Sequence, residues 1–156
     1  QAAGLDWSAA LDHLAGSSSV FVAGRGPGLA AASEMALKLK ETSAMHAEAF
    51  SSAEILHGPL GLLQPGMPVL LTGQNDQTLS GVRSLDATLR EKRAVVLSAY
   101  EGASGTGVLP VVGGVDPVLA PLASVQSFYA MASALAVRRG FDPDRPEHLK
   151  KVTETR

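Results

Sequence analysis

The stretch Ser19-Val20-Phe21-Val22-Ala23-Gly24-Arg25-Gly26-Pro27-Gly28-Leu29 decides the fold. A short apolar run gives way to a loop with glycine at every second position, and an Ala- and Leu-rich segment follows as far as Met45. A run that is apolar at nearly every position predicts a strand over Ser19–Ala23 buried on both faces, since a strand with one wet face would alternate. The glycines predict a tight connection and Leu29–Met45 predicts a helix. Strand, glycine loop and helix together make half of a parallel βαβ unit.

Working outward, Pro68–Thr72, Ala94–Ser98 and Val108–Val112 carry the same short apolar character and predict three more strands. Asp6–Ala15 predicts a helix with a possible Asp cap, with Trp7, Leu11 and Leu14 on one face. Asp76 or Thr78 to Lys92 places Leu79, Val82, Leu85 and Leu89 at helical spacing, and Pro117–Arg139 reads as a long apolar helix stopped by Gly140. The alternation predicts an α/β fold, a doubly wound parallel sheet flanked by helices, with ligands expected at the carboxyl ends of the strands. No repeat or linker interrupts the 156 residues, so a single domain is expected.

Composition narrows the function. Apolar residues make up 46% and charged residues 18%, which is the balance of a folded chain. Aromatics are only 4%, so Ala, Val and Leu must fill the core. The net charge is -2 with no basic stripe, which argues against nucleic acid as a partner. The absence of cysteine removes disulfides and thiolate chemistry and suits a cytoplasmic location. No apolar run approaches the roughly 20 residues of a membrane helix, so no membrane partner is expected. His and carboxylate positions show no metal-ligand spacing, and no Gly-x-Ser-x-Gly elbow is present, so neither a metal nor a serine nucleophile is expected. The first residue is Gln1 and not Met, which suggests processing or a piece of a longer protein.

Two places could carry chemistry. The Gly24–Gly28 loop opens a helix and could let a backbone approach an anion, or it could be a plain βα turn. Its spacing matches neither the phosphate loop nor the dinucleotide fingerprint. The densest ionisable run is Leu37-Lys38-Leu39-Lys40-Glu41-Thr42, followed by His46, Glu48, Glu54 and His57-Gly58-Pro59. Lys38 and Glu41 are three apart and therefore neighbours on a helix. Carboxylate, ammonium and imidazole supply a base, a stabiliser and an acid. From spacing alone the same run is better read as a solvated helix face with a surface ion pair. His13 and His148 read as surface residues.

The block from Leu37 to Leu60, with Glu41, His46, Glu54 and His57-Gly58-Pro59 in place, resembles the second sugar isomerase (SIS) domain of glucosamine-6-phosphate synthase and the related SIS-type glucosamine-6-phosphate deaminases. The likeness runs on to Pro146-Glu147-His148-Leu149-Lys150-Lys151. It implies a flavodoxin-like three-layer sandwich and aldose–ketose chemistry on a sugar phosphate, fructose 6-phosphate or glucosamine 6-phosphate. Glu41 is implied as the proton shuttle between C1 and C2, Lys38 as the neighbouring stabiliser, and His57 as the ring-opening residue reaching a neighbouring subunit. Lys151 is implied as the imine former. The resemblance calls for no metal or organic cofactor. It implies a homodimer and a preceding SIS domain in the parent chain.

One departure matters. The family grips phosphate with a Ser-x-Ser-Gly-x-Thr loop, whereas this chain has Thr72-Gly73-Gln74-Asn75-Asp76-Gln77-Thr78. That loop lacks the hydroxyls and adds an acid, so the phosphate grip is expected in a partner domain. Synthase and deaminase both stay open, and a regulatory SIS module that binds without turnover is the alternative.

Overall fold

The computed structural model describes residues 1–146, and Lys150 and Lys151, with His148, lie outside them. The elements are α1 (Ser8–Ala15), β1 (Ser19–Gly24), α2 (Pro27–Ser43), β2 (His46–Ser51), β3 (Pro68–Thr72), α3 (Leu79–Glu91), β4 (Val95–Ala99) and α4 (Ala120–Arg138). The four strands form one parallel sheet in the order β2-β1-β3-β4. The chain leaves β1 toward β2 on one side and returns to place β3 on the other, so the topological switch lies between β1 and β3.

The continuous apolar runs divide between two faces with period two. Val20, Val22, Leu70 and Leu97 point into a core shared with Trp7, Leu14, Met35, Leu39, Phe128 and Leu135 from α1, α2 and α4. Phe21, Ala23, Val69, Leu71 and Val96 meet Leu79, Val82, Leu85 and Leu89 of α3 and Ile55. Helices therefore cover both faces, as the strand composition predicts.

The strand reading needs correction in two places. The segment His46–Ser51, where no strand was expected, is one. It lacks β-branched residues and, as an edge strand, leaves His46 and Glu48 exposed while Ala47 is buried, so its apolar signal is weak. Conversely Val108–Val112 is no strand: it contributes one isolated bridge, Ser98 to Val108. Pro110 cannot donate to a ladder, and its carbonyl instead accepts the Trp7 indole N–H at 2.9 Å. Helix bounds shift by a few residues: α2 begins at Pro27, and α4 runs from Ala120. By length and composition α4 could cross a membrane, against the expectation that no segment reaches that length. In this fold its Phe128, Met131, Ala132 and Leu135 face is packed in the core.

On the α3 side a buried polar cluster joins helix to strand. Asp86 is 4% exposed and accepts hydrogen bonds from Tyr100 Oη at 2.7 Å, from Ser98 Oγ and from Arg90 Nε. Burial pushes the Asp86 carboxyl up, but the bonds from Arg90, Ser98 and Tyr100 outweigh it and hold the group below its ordinary value. Burial and the bond to Asp86 push the Tyr100 phenol up to about 12. A carboxyl with a depressed folded value contributes stability above its unfolded titration and loses it as pH falls. Asp86→Asn is therefore expected to cost about 3 kcal/mol near neutral pH. In urea unfolding that deficit should shrink as pH falls below about 4, where the unfolded carboxyl takes up its proton, and should vanish once pH has passed the lower folded value.

Candidate functional site

Because β1 and β2 are parallel, α2 must run antiparallel to both. It starts beyond the carboxyl end of β1 and ends at Ala44, whose left-handed backbone (φ 47°) turns the chain into β2. Lys38 and Glu41 lie in the last turns of α2, beside the amino ends of the strands, where Ser19 pairs with His46. Lys38 Nζ donates to Glu41 Oε2 at 2.7 Å, and Glu34 Oε1 lies 3.8 Å from the same ammonium. Both side chains of the closer pair are partly shielded, Lys38 at 33% and Glu41 at 23% exposure. The bond to Glu41 raises the Lys38 ammonium above its ordinary value, opposed by burial and aided by the charges of Glu41 and Glu34. A cavity of about 370 Å³ opens beside Glu41, lined by Lys40, Thr42, Phe141, Asp142 and Arg145. This is the lower end of the size range for small-molecule sites.

His57 is elsewhere. It follows a 3-10 turn, Glu54–Leu56, beyond the carboxyl end of β2, and it is exposed. Its backbone N–H closes on Glu54 O at 2.9 Å, and Gly58 then takes a φ of 130° that favours glycine before Pro59. From Pro27 to Glu41 the helix rises about 20 Å. Glu41 and His57 of one chain thus stand on opposite rims of the sheet. The structure brings Lys38 and Glu41 together and does not bring His57 to them; Lys151 lies outside the described residues.

The carboxyl-end crevice at the β1/β3 switch, where open α/β sheets take ligands, is filled by the chain itself. Gln74 is 2% exposed, and its amide nitrogen lies within hydrogen-bond distance of Arg25 O (3.0 Å), Asp76 Oδ2 (2.9 Å) and Thr78 Oγ1 (3.0 Å). Its Oε1 is buried without a partner among the described residues. Asp76 accepts the Thr78 N–H at 2.8 Å as well as the Thr78 hydroxyl. Burial pushes the Asp76 carboxyl up, yet bonds from Thr78 and Gln74 prevail and hold it low. The expected acid is therefore real, and it is turned inward onto its own loop. Among the described residues no three His, Asp or Glu side chains converge as a metal site.

Residues 13–98 match the model of the SIS domain. The chain belongs to the SIS domain family. It is 40% identical over 136 residues to glutamine–fructose-6-phosphate aminotransferase (isomerizing) of Thermococcus kodakarensis, covering 84% of this chain and 22% of that protein. It is 34% identical over 147 residues to a protein of that name from Sphingobium yanoikuyae, covering 89% of this chain and 93% of the relative. Among solved structures, the C-terminal domain of glucosamine-fructose-6-phosphate aminotransferase from Francisella tularensis superposes with a TM-score of 0.81 at 25% identity, covering 89% of this chain and 41% of that one. This SIS domain spans about a quarter of the length of most of the curated relatives it matches. Its four-stranded parallel sheet flanked by helices is the architecture of the sugar-phosphate isomerase fold.

Sequence reading missed three contributors to the two rims. Glu34 stands four residues before Lys38, a spacing open to the same reasoning as Lys38 and Glu41. Gln74 and Tyr129 act through contacts 49 and 95 residues away, and no local pattern signals those.

The filled crevice has a measurable consequence. A Cβ at Gly28 would come within 2.7 Å of Gln74 Oε1. Gly28→Ala is therefore expected to destabilise by about 1 kcal/mol, overpacking outweighing the helix preference for alanine. In a Gln74→Ala background the same substitution should become neutral or stabilising, and the reversal of sign in thermal melts is the diagnostic reading.

Proposed function

We propose that this SIS domain is the catalytic half of an amino-sugar phosphate enzyme, a glutamine–fructose-6-phosphate aminotransferase or a glucosamine-6-phosphate deaminase, working in the cytoplasm. The observation that carries the reading is the 2.7 Å hydrogen bond between Lys38 and Glu41 beside an open cavity, in a chain similar over most of its length to aminotransferases of that name.

In this reading Glu41 takes a proton from C1 of the open-chain ketose, or of its imine, and the C1–H electron pair becomes the double bond of an enediol or enolamine. Returning the proton to C2 completes the aldose. One carboxylate serves both steps because the carbons are adjacent and on one face. Lys38 offsets the negative charge that develops on the substrate oxygen. Lys151 forms the imine with the ketose carbonyl, and His57 opens the sugar ring. The separation of Glu41 from His57 across the sheet supports a site shared between two copies, with His57 supplied by the neighbour. The closed crevice at the β1/β3 switch supports a phosphate grip in a preceding SIS domain.

Ammonia release from glucosamine 6-phosphate, or its formation from fructose 6-phosphate with glutamine, distinguishes the two enzymes. Glu41→Gln should lower turnover by about 10²–10⁴-fold with the fold intact. A Glu41→Gln variant that retains turnover would remove the shuttle assignment. Mixing Glu41→Gln and His57→Asn chains, each inactive alone, should restore about one quarter of the wild-type rate. Random pairing gives half mixed dimers, each with one intact site. No recovery on mixing would mean that each chain uses its own histidine or none.

A further inference from the structure

Tyr129 of α4 is half-exposed and sits where α4 packs along α2. Its hydroxyl donates to Glu34 Oε1 at 2.8 Å. That oxygen is the one 3.8 Å from Lys38 Nζ, while Lys38 donates to Glu41 Oε2 at 2.7 Å. Glu34, Lys38 and Glu41 form one stripe at spacings of four and three on α2, and Tyr129 closes that stripe from the next helix. We propose that Tyr129 is a positioning residue for the Lys38–Glu41 pair, acting through Glu34; this rests on the proton-shuttle reading of Glu41.

The ammonium has two carboxylates in reach, and Coulomb attraction between partly exposed groups is too weak to fix its choice. The hydrogen bonds decide it. Tyr129 engages the Glu34 oxygen nearest Lys38 and draws on its charge, which leaves Glu41 as the better acceptor. Without the phenol, Glu34 Oε1 is free to accept from Lys38, and the ammonium divides between the two acids. Glu41 then loses the partner that orients it and lies beside the developing charge. The proton affinities agree. Lys38 is raised first by its bond to Glu41, with burial opposing and smaller contributions from Glu34 and Tyr129; Tyr129 is raised first by its bond to Glu34. On the far side of Glu41 the cavity brings Lys40, Asp142 and Arg145, and none of them hydrogen-bonds Lys38 among the described residues.

The test uses Tyr129→Phe, which keeps the ring, and Glu34→Gln, which keeps the shape and removes the charge. In the isotope-labelled chain, the scalar coupling across the Lys38–Glu41 hydrogen bond should fall in Tyr129→Phe and be unchanged or larger in Glu34→Gln. In the active assembly, Tyr129→Phe should lower kcat about tenfold with KM within about twofold. Loss of the coupling in Tyr129→Phe and its retention in Glu34→Gln are opposite responses that a merely structural role would not produce. The double variant should match Glu34→Gln alone. Unchanged coupling in Tyr129→Phe, or a double variant that loses more than Glu34→Gln, overturns the proposal. Absence of turnover in the wild-type assembly overturns the shuttle reading instead, and the coupling then decides the Tyr129 assignment by itself.

Discussion

One guanidinium holds the helical layer of this domain together. Arg139, just past α4, donates from Nε to Ser43 O at 2.9 Å and from Nη1 to Ala15 O and Ser17 O at 2.9 and 2.7 Å, with Leu14 O at 3.4 Å. These carbonyls end α1 and α2 and start the connection to β1. Helix C-termini leave carbonyls unsatisfied and carry partial negative charge, so a planar cation with several donors meets both needs at once. Hydrogen bonds to a charged group contribute about 1.5–3 kcal/mol each when buried partners are involved. Three helices are thereby fixed at the amino-end rim, and the anchored Ser43 lies two residues beyond Glu41. The Lys38–Glu41 turn is thus held in place by an interaction remote from it in sequence.

The two faces of the sheet are covered by different means, and the difference explains where His57 stands. One face has α1, α2 and α4 and a core rich in small and medium side chains. The other has α3 alone, and the crossover from β2 to β3 is made by two 3-10 turns, Glu54–Leu56 and Pro59–Leu62, in place of an α-helix. Ile55 of that crossover is buried, and Leu60 and Leu63 pack partly against the core, while Leu56, His57 and Leu62 project outward. A short connection tied down by a few apolar side chains leaves its polar residues exposed. On that face the Asp86 cluster supplies polar ties between α3 and β4.

What was legible in the sequence follows from which interactions are local. β1, β3 and β4 were readable because strands buried on both faces must be apolar at every position, and α3 because its four leucine and valine positions repeat with the helix. The edge strand β2 was not. Its inward residues are alanines, and α2 stops at Ala44 in a left-handed conformation without the glycine that usually announces it. Val108–Val112 misled for the opposite reason, apolar composition interrupted by Pro110, whose missing N–H breaks a ladder after one bridge. Arg139 sits at the end of its own helix, yet its acceptors are on two other segments. In the candidate site the Lys38–Glu41 contact was legible from a spacing of three, whereas Tyr129 and Gln74 reach their partners only through the packing of distant elements.

Gln74 bears on how this fold divides its labour. An open parallel sheet offers a ligand the crevice at its topological switch because the two flanking loops diverge there and leave backbone donors free. Here the loops are joined instead. The amide of Gln74 reaches across to Arg25 O and is itself held by Asp76 and Thr78, and Gly28 lacks a side chain where Gln74 lies. An anion entering would have to displace a buried amide and approach a carboxylate that its hydrogen bonds keep ionised. Two contributions therefore oppose the same ligand, one steric and one electrostatic. With the carboxyl-end crevice closed in this way, the proposed site falls to the partly shielded, paired charges at the opposite rim. There Arg139 ties the end of α2 to the end of α1.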